Sequence, residues 1–151
     1  METRPLGSSG LTVPVIGLGT WRTFDVRGAA AEANARAVVD QALAAGASFF
    51  DSSPMYGQAE RVLGAALRGS RARVLVATKV WAGSLREGRA QAQRALDFFG
   101  GRVDVYQLDG SGCVLEARPG TAPGVPAALA VPTMMQTSVS VPAMSVSPRH
   151  E

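Results

Sequence analysis

A parallel α/β sheet covered by helices is the fold class that this sequence predicts. Three observations carry that expectation. Short, nearly continuous apolar runs ("ASFFD", "RVLVATKV", "VDVYQLD") alternate with segments whose apolar residues fall at helical spacing. Each helical segment ends at a glycine, at Gly46, Gly69 or Gly100-Gly101. The 151-residue length fits one domain.

The elements follow in order. Residues 4 to 16, "RPLGSSGLTVPVI", read as two short strands around a Ser-Ser-Gly turn. "VIGLGTW" follows as a Gly-interrupted strand. Ala35, Val38, Val39, Ala42 and Leu43 then form a helical stripe. "ASFFD" is a short buried strand. Ala59, Val62, Leu63, Ala66 and Leu67 repeat the helical pattern. "RVLVATKV" is the next strand. Ser84 with Glu87 reads as a capping box opening a helix with Ala92, Ala95, Leu96 and Phe99 on its apolar side. "VDVYQLD" is the last strand. Either a doubly wound sheet or a (β/α)₈ barrel begins in this way.

After Gly110 the periodicity stops. Six of the nine prolines lie in residues 111–151, and no helical or alternating pattern survives there. The expected organisation is one α/β unit over 1–110 and a low-complexity, disordered tail over 111–151.

Composition narrows the function classes. Hydrophobic residues make up 46% and charged residues 18%, a globular balance. The net charge of +3 comes from scattered arginines, not from a basic stripe, so nucleic acid is not an expected partner. No apolar run approaches the ~18 residues of a spanning helix, so no membrane partner is expected. The N-terminus does not read as a signal peptide, and a single cysteine, Cys113, fits a reducing, cytoplasmic setting. One Cys and one His, His150 in the tail, make a metal site unexpected, and Cys113 has no His partner for nucleophilic work. Gly17-Leu18-Gly19 begins a G-x-G-x-x-G fingerprint, but Arg22 stands at its last position.

In parallel α/β folds reactive groups gather at the C-terminal ends of strands. Those ends carry Thr20-Trp21, Asp51, Lys79 and Asp109, with Tyr56 just past the second strand. Lys79 is the only lysine in the chain. A phenol is a poor acid at neutral pH unless its anion is stabilised, which a nearby ammonium does. A carboxylate holds that ammonium in place. Asp51, Tyr56 and Lys79 therefore make a chemical set: a general acid able to protonate a carbonyl oxygen. Singly, each has a structural alternative, Asp51 as a turn residue, Tyr56 as a packed ring with a wet hydroxyl, Lys79 as a strand-end charge.

"PVIGLGTW", "FFDSSPMYG", "VLVATKVW" and "VDVYQLD", in this order, together with the introductory hairpin, resemble the first half of an aldo-keto reductase over residues 4–109. The resemblance implies a (β/α)₈ barrel of which about the first four βα units are present. It implies reduction of a small-molecule aldehyde or ketone with NADPH, less often NADH. By the same resemblance Asp51, Tyr56 and Lys79 are catalytic, Thr20, Trp21 and Asp51 lie near the nicotinamide, and Trp81 lines the substrate pocket. Two departures stand out. Where the family pattern ends Tyr-Gln-Leu-His, this chain has Asp109, which accepts hydrogen bonds but donates none when ionised. The family's later strands have no counterpart in 111–151. Together these read as a truncated gene or a shifted frame, which translation in the other two frames would test. The alternative to an active reductase is therefore an inactive fragment or a nucleotide-binding module. A half barrel would leave sheet edges open and is expected to be marginally stable, self-associating, or both.

Overall fold

The structure is a computed structural model that describes residues 1–108. Asp109, Cys113, His150 and the Pro-rich segment lie outside the described residues. A two-stranded antiparallel hairpin comes first, β1 (Thr3–Pro5) against β2 (Thr12–Pro14), with Arg4 opposite Val13. Then follow β3 (Leu18–Gly19), α1 (Trp21–Phe24), α2 (Ala29–Ala44), β4 (Phe49–Asp51), α3 (Ala59–Ala66), β5 (Leu75–Val80), α4 (Leu85–Phe98) and β6 (Val105–Leu108).

The four strands β3 to β6 form one parallel sheet in the order β3-β4-β5-β6. A doubly wound sheet reverses its strand order; a barrel does not. The sequential order is the barrel's. The sequence leaves both open, and strand neighbours decide between them.

Helix ends follow local chemistry. α2 closes with the Gly46 N–H donating to the Leu43 carbonyl and the Ala47 N–H to that of Ala42, the paired bonds that satisfy a helix C-terminus. At α4 the Ser84 hydroxyl accepts from the Glu87 N–H at 3.2 Å, as expected. The Glu87 carboxylate reaches back to the Gly83 N–H at 3.3 Å, not to Ser84 itself, so the capping box is displaced by one residue.

The sheet has two unlike faces because side chains alternate along a strand. Register sets Asp51 opposite Ala77 and Ala77 opposite Val105. Phe50, Val76, Thr78 and Tyr106 therefore share the helix-facing side. There Phe50 and Val76 join Phe24, Val39, Val62, Leu63, Leu67, Ala95 and Phe99 in one buried core. Each large side chain removed from water contributes about 1.5–3 kcal/mol. Asp51, Ala77, Lys79, Val105 and Gln107 share the opposite side.

Two features differ from the pattern reading. The strand expected over "VIGLGTW" pairs with β4 only at Leu18 and Gly19, and Val15 and Ile16 stay exposed. Gly17 explains its own presence by packing, since a β-carbon there would strike the Phe49 ring and carbonyl. The one-turn α1 was not foreseen; four residues are too few to show a period. Among the described residues no helix is long and apolar enough to cross a membrane.

Candidate active site

Asp51 is the last residue of β4, and Lys79 is the penultimate residue of β5. Lys79 lies two residues beyond the partner of Asp51, on the same face, so the ammonium meets the carboxylate diagonally. Its Nζ donates to Asp51 Oδ2 at 2.8 Å, to Oδ1 at 3.0 Å and to the Ser52 carbonyl at 2.9 Å. The pair is partly shielded, with side chains 20% exposed for Lys79 and 32% for Asp51.

Neighbours hold this pair from two sides. Gln107, opposite Lys79 on β6, donates from Nε2 to Asp51 Oδ1 at 2.7 Å. It reaches across Ala77, whose methyl leaves the path open. Thr20 is fully buried, and its hydroxyl lies 3.0 Å from the Asp51 carbonyl and 2.9 Å from Ser52 Oγ. Thr20 thus supports Asp51 from behind.

Tyr56 comes from the loop between β4 and α3. Lys79 Nζ lies 5.4 Å from its ring centroid, within cation–π range. Among the described residues the Tyr56 hydroxyl makes no hydrogen bond. Trp21 packs near Tyr56, with ring centroids 6.3 Å apart and planes tilted by 37°. The indole is 61% exposed, and the Arg22 guanidinium lies 5.1 Å from its centroid. The loop is fastened by Asp25, just after α1, whose Oδ1 accepts from the Gln58 N–H at 2.9 Å. Gly57 lets that carboxylate approach; its φ is +57°, and a β-carbon would overlap the Asp25 oxygens.

Trp81 directly follows β5, half exposed. Its backbone is fixed by Gln91 of α4, which donates to the Trp81 carbonyl at 2.5 Å and accepts from its N–H at 2.8 Å. Behind β5, the Thr78 hydroxyl donates to the buried Glu60 at 2.6 Å. Burial raises the Glu60 carboxyl above its ordinary value. Burial, and then the Glu60 charge, push Tyr106 up to about 12. Tyr106 donates its hydroxyl to the Ala92 carbonyl on the helix side. Of the two tyrosines in the chain, only Tyr56 faces the ammonium.

Asp51, Lys79, Tyr56 and Trp21 are thus brought together at one end of the sheet, with Trp81 beyond Lys79. Gln107, Asp25, Gln91 and Ser52 were missed. None carried a signal in the sequence alone; register is what sets Gln107 on the same strand face and level as Lys79.

The geometry offers a fixed cation 5.4 Å from the centre of an aromatic ring, with an exposed indole nearby. Residues 15–116 match the family model described as "Aldo/keto reductase family". The chain is similar to a pyridoxal 4-dehydrogenase of Microbacterium luteolum, 40% identical over 81 residues, covering 52% of this chain and 24% of that protein. It is similar to an L-galactose dehydrogenase of Arabidopsis thaliana, 40% identical over 115 residues, covering 72% of this chain and 35% of the relative. Among solved structures, an aldo-keto reductase from Klebsiella pneumoniae in complex with NADPH superposes with a TM-score of 0.59 at 30% identity, over 68% of this chain and 37% of that one. The chain therefore spans a quarter to a third of the length of these two relatives.

Proposed function

The chain belongs to the aldo/keto reductase family, and from that premise we propose that it takes part in reducing an aldehyde or ketone to an alcohol, with NADPH as cofactor and Tyr56 as the proton donor. One observation carries the reading: the only lysine is clamped on Asp51 and lies 5.4 Å from the Tyr56 ring. A positive charge there stabilises the phenolate left behind when Tyr56 protonates a carbonyl oxygen. NADPH, when bound, supplies the hydride to the carbonyl carbon.

The described residues fit the nicotinamide end of such a cofactor. Trp21 offers an exposed flat face beside Tyr56, and Asp51 keeps a third of its side chain open. Thr20, with its hydroxyl used internally, would serve by fixing Asp51. Trp81, held by Gln91, would limit the space for substrate.

The test is a fluorescence titration with NADPH, followed by turnover of a generic aldehyde. Saturable binding and a turnover lost in Tyr56→Phe are expected. Asp109 motivates a second reading, a nucleotide-binding module without turnover. By the resemblance Asp109 stands where the family has a His, and an anion there would oppose the negative charge that develops on the carbonyl oxygen. Binding with no turnover in the native chain would favour it, and no binding at all would exclude both.

A further inference from the structure

We propose that Asp51, the Ser52 carbonyl and Gln107 together prevent Lys79 from reacting as an amine with carbonyl compounds. The biological sense of this rests on the reading above, in which the site receives an aldehyde or ketone. A primary amine in such a site is a hazard. Its nitrogen lone pair can attack the carbonyl carbon, forming a C–N bond while the carbonyl oxygen takes up a proton. Loss of water from that adduct leaves an imine on the lysine.

The geometry opposes the first step. An ammonium has three N–H donors and no lone pair. Lys79 has three acceptors within hydrogen-bond distance: Asp51 Oδ2 at 2.8 Å, the Ser52 carbonyl at 2.9 Å and Asp51 Oδ1 at 3.0 Å. Attack requires the nitrogen to give up a proton to solvent. That loses a charge-assisted bond and leaves the carboxylate without its counter-charge. Burial alone does not provide the protection, because a fifth of the Lys79 side chain remains exposed.

Gln107 is a positioning residue in this account. Its amide donates to Asp51 Oδ1 at 2.7 Å from the far side of Ala77. That bond fixes the carboxylate plane so that both oxygens face Nζ. Without it the carboxylate can rotate about its own side-chain bonds and release one of the two contacts.

The chain's single lysine makes the test direct. The protein is treated with formaldehyde and cyanoborohydride, which adds hydride to the imine carbon and fixes the adduct as an alkylated amine. Peptide mass mapping then assigns it. Arg36→Lys adds a reference lysine on α2, where the native side chain is 44% exposed and its ion pair, with a 54% exposed Asp40, is solvated and worth little. Position 36 is expected to label at least about tenfold faster than Lys79, as loss of one charge-assisted bond implies. Asp51→Asn should accelerate labelling of Lys79 about tenfold. Gln107→Leu, which keeps the volume and removes the donor, should accelerate it by a smaller factor. Thermal unfolding of each variant reports whether it remains folded, labelling at position 36 normalises reagent exposure, and the comparison within Arg36→Lys needs no change at the site. Equal labelling of 36 and 79 with Asp51 intact would overturn the proposal. So would a slow Lys79 in all backgrounds, which would make access the cause. No cofactor or turnover enters the assay, so an unreactive Lys79 in a protein without reductase activity would leave this inference standing and remove only the proposed function.

Discussion

Lys79 bonds to Asp51 although the register of β4 and β5 sets Asp51 opposite Ala77. The ion pair therefore runs diagonally, two residues along the strand, and leaves Ala77 as a gap that Gln107 spans. Both side chains keep some contact with water, so the pair is worth less than a fully buried one. Asp51→Asn and Lys79→Met should each cost about 1–2 kcal/mol in urea unfolding, between exposed and buried ion pairs. The double variant should lose less than the sum of the two, since each single change strands a partner.

Gly57 is the joint between the Tyr56 loop and α1. Alanine there must adopt a positive φ and push the Asp25 carboxylate away from the Gln58 N–H. Together these should cost about 2–4 kcal/mol. Thermal unfolding would show it, and the change should also weaken NADPH binding by disturbing the neighbouring Tyr56. A Gly57→Ala protein as stable as the parent would contradict the close contact.

At the opposite end of the sheet, Asp104 binds both Arg71 at 2.8 Å and Arg102 at 3.0 Å, and accepts the Val76 N–H at 2.9 Å. Its side chain is 9% exposed. Asp104→Ala leaves the Val76 N–H without its acceptor and two guanidinium groups without their counter-charge, with only backbone carbonyls left to bind them. A loss of about 3 kcal/mol in urea unfolding is expected, with little effect on the chemistry of the distant site.

Most of the fold was legible because it depends on local pattern. β5 shows as an apolar run, and α3 as a stripe through Val62, Leu63 and Ala66. Asp51, Tyr56 and Lys79 stood out because strand ends and unusual residue use mark them. Gln107, Asp25 and Gln91 did not. They act on partners 56, 33 and 10 residues away, and their contribution is a single hydrogen bond or a matched pair fixed by the tertiary fold. Two amides and a loop carboxylate look ordinary until register and loop path bring them to the site.

Among the described residues, β3 and β6 each have one strand neighbour in the sheet. Parallel strands with free backbone groups are templates for pairing with another chain. The mass seen in sedimentation velocity should therefore rise with protein concentration. A single monomeric boundary at all concentrations would show that both edges are blocked.

Glu60 should give stability a pH dependence of unusual sign. It is buried against Thr78 of β5, with the charges of Arg94 and Lys79 acting on it and Tyr106 nearby. Burial outweighs those charges and the Thr78 hydrogen bond and raises its carboxyl above the ordinary 4.5. In the window above that value the folded protein holds a proton that the unfolded chain has released. Stability then falls as pH rises. The contribution of the protonated group is complete below about 4.5 and is lost as pH passes through the raised folded value. Glu60→Gln keeps a carbonyl acceptor for Thr78 and cannot ionise. Its stability relative to the parent should therefore improve steadily from pH 4.5 upward and level off once Glu60 is ionised in both states. Urea unfolding of the two proteins across pH 4 to 8 measures the difference. A flat difference would mean that Glu60 ionises in the folded state as easily as in the unfolded chain, and a difference of opposite slope would mean that its partners outweigh burial.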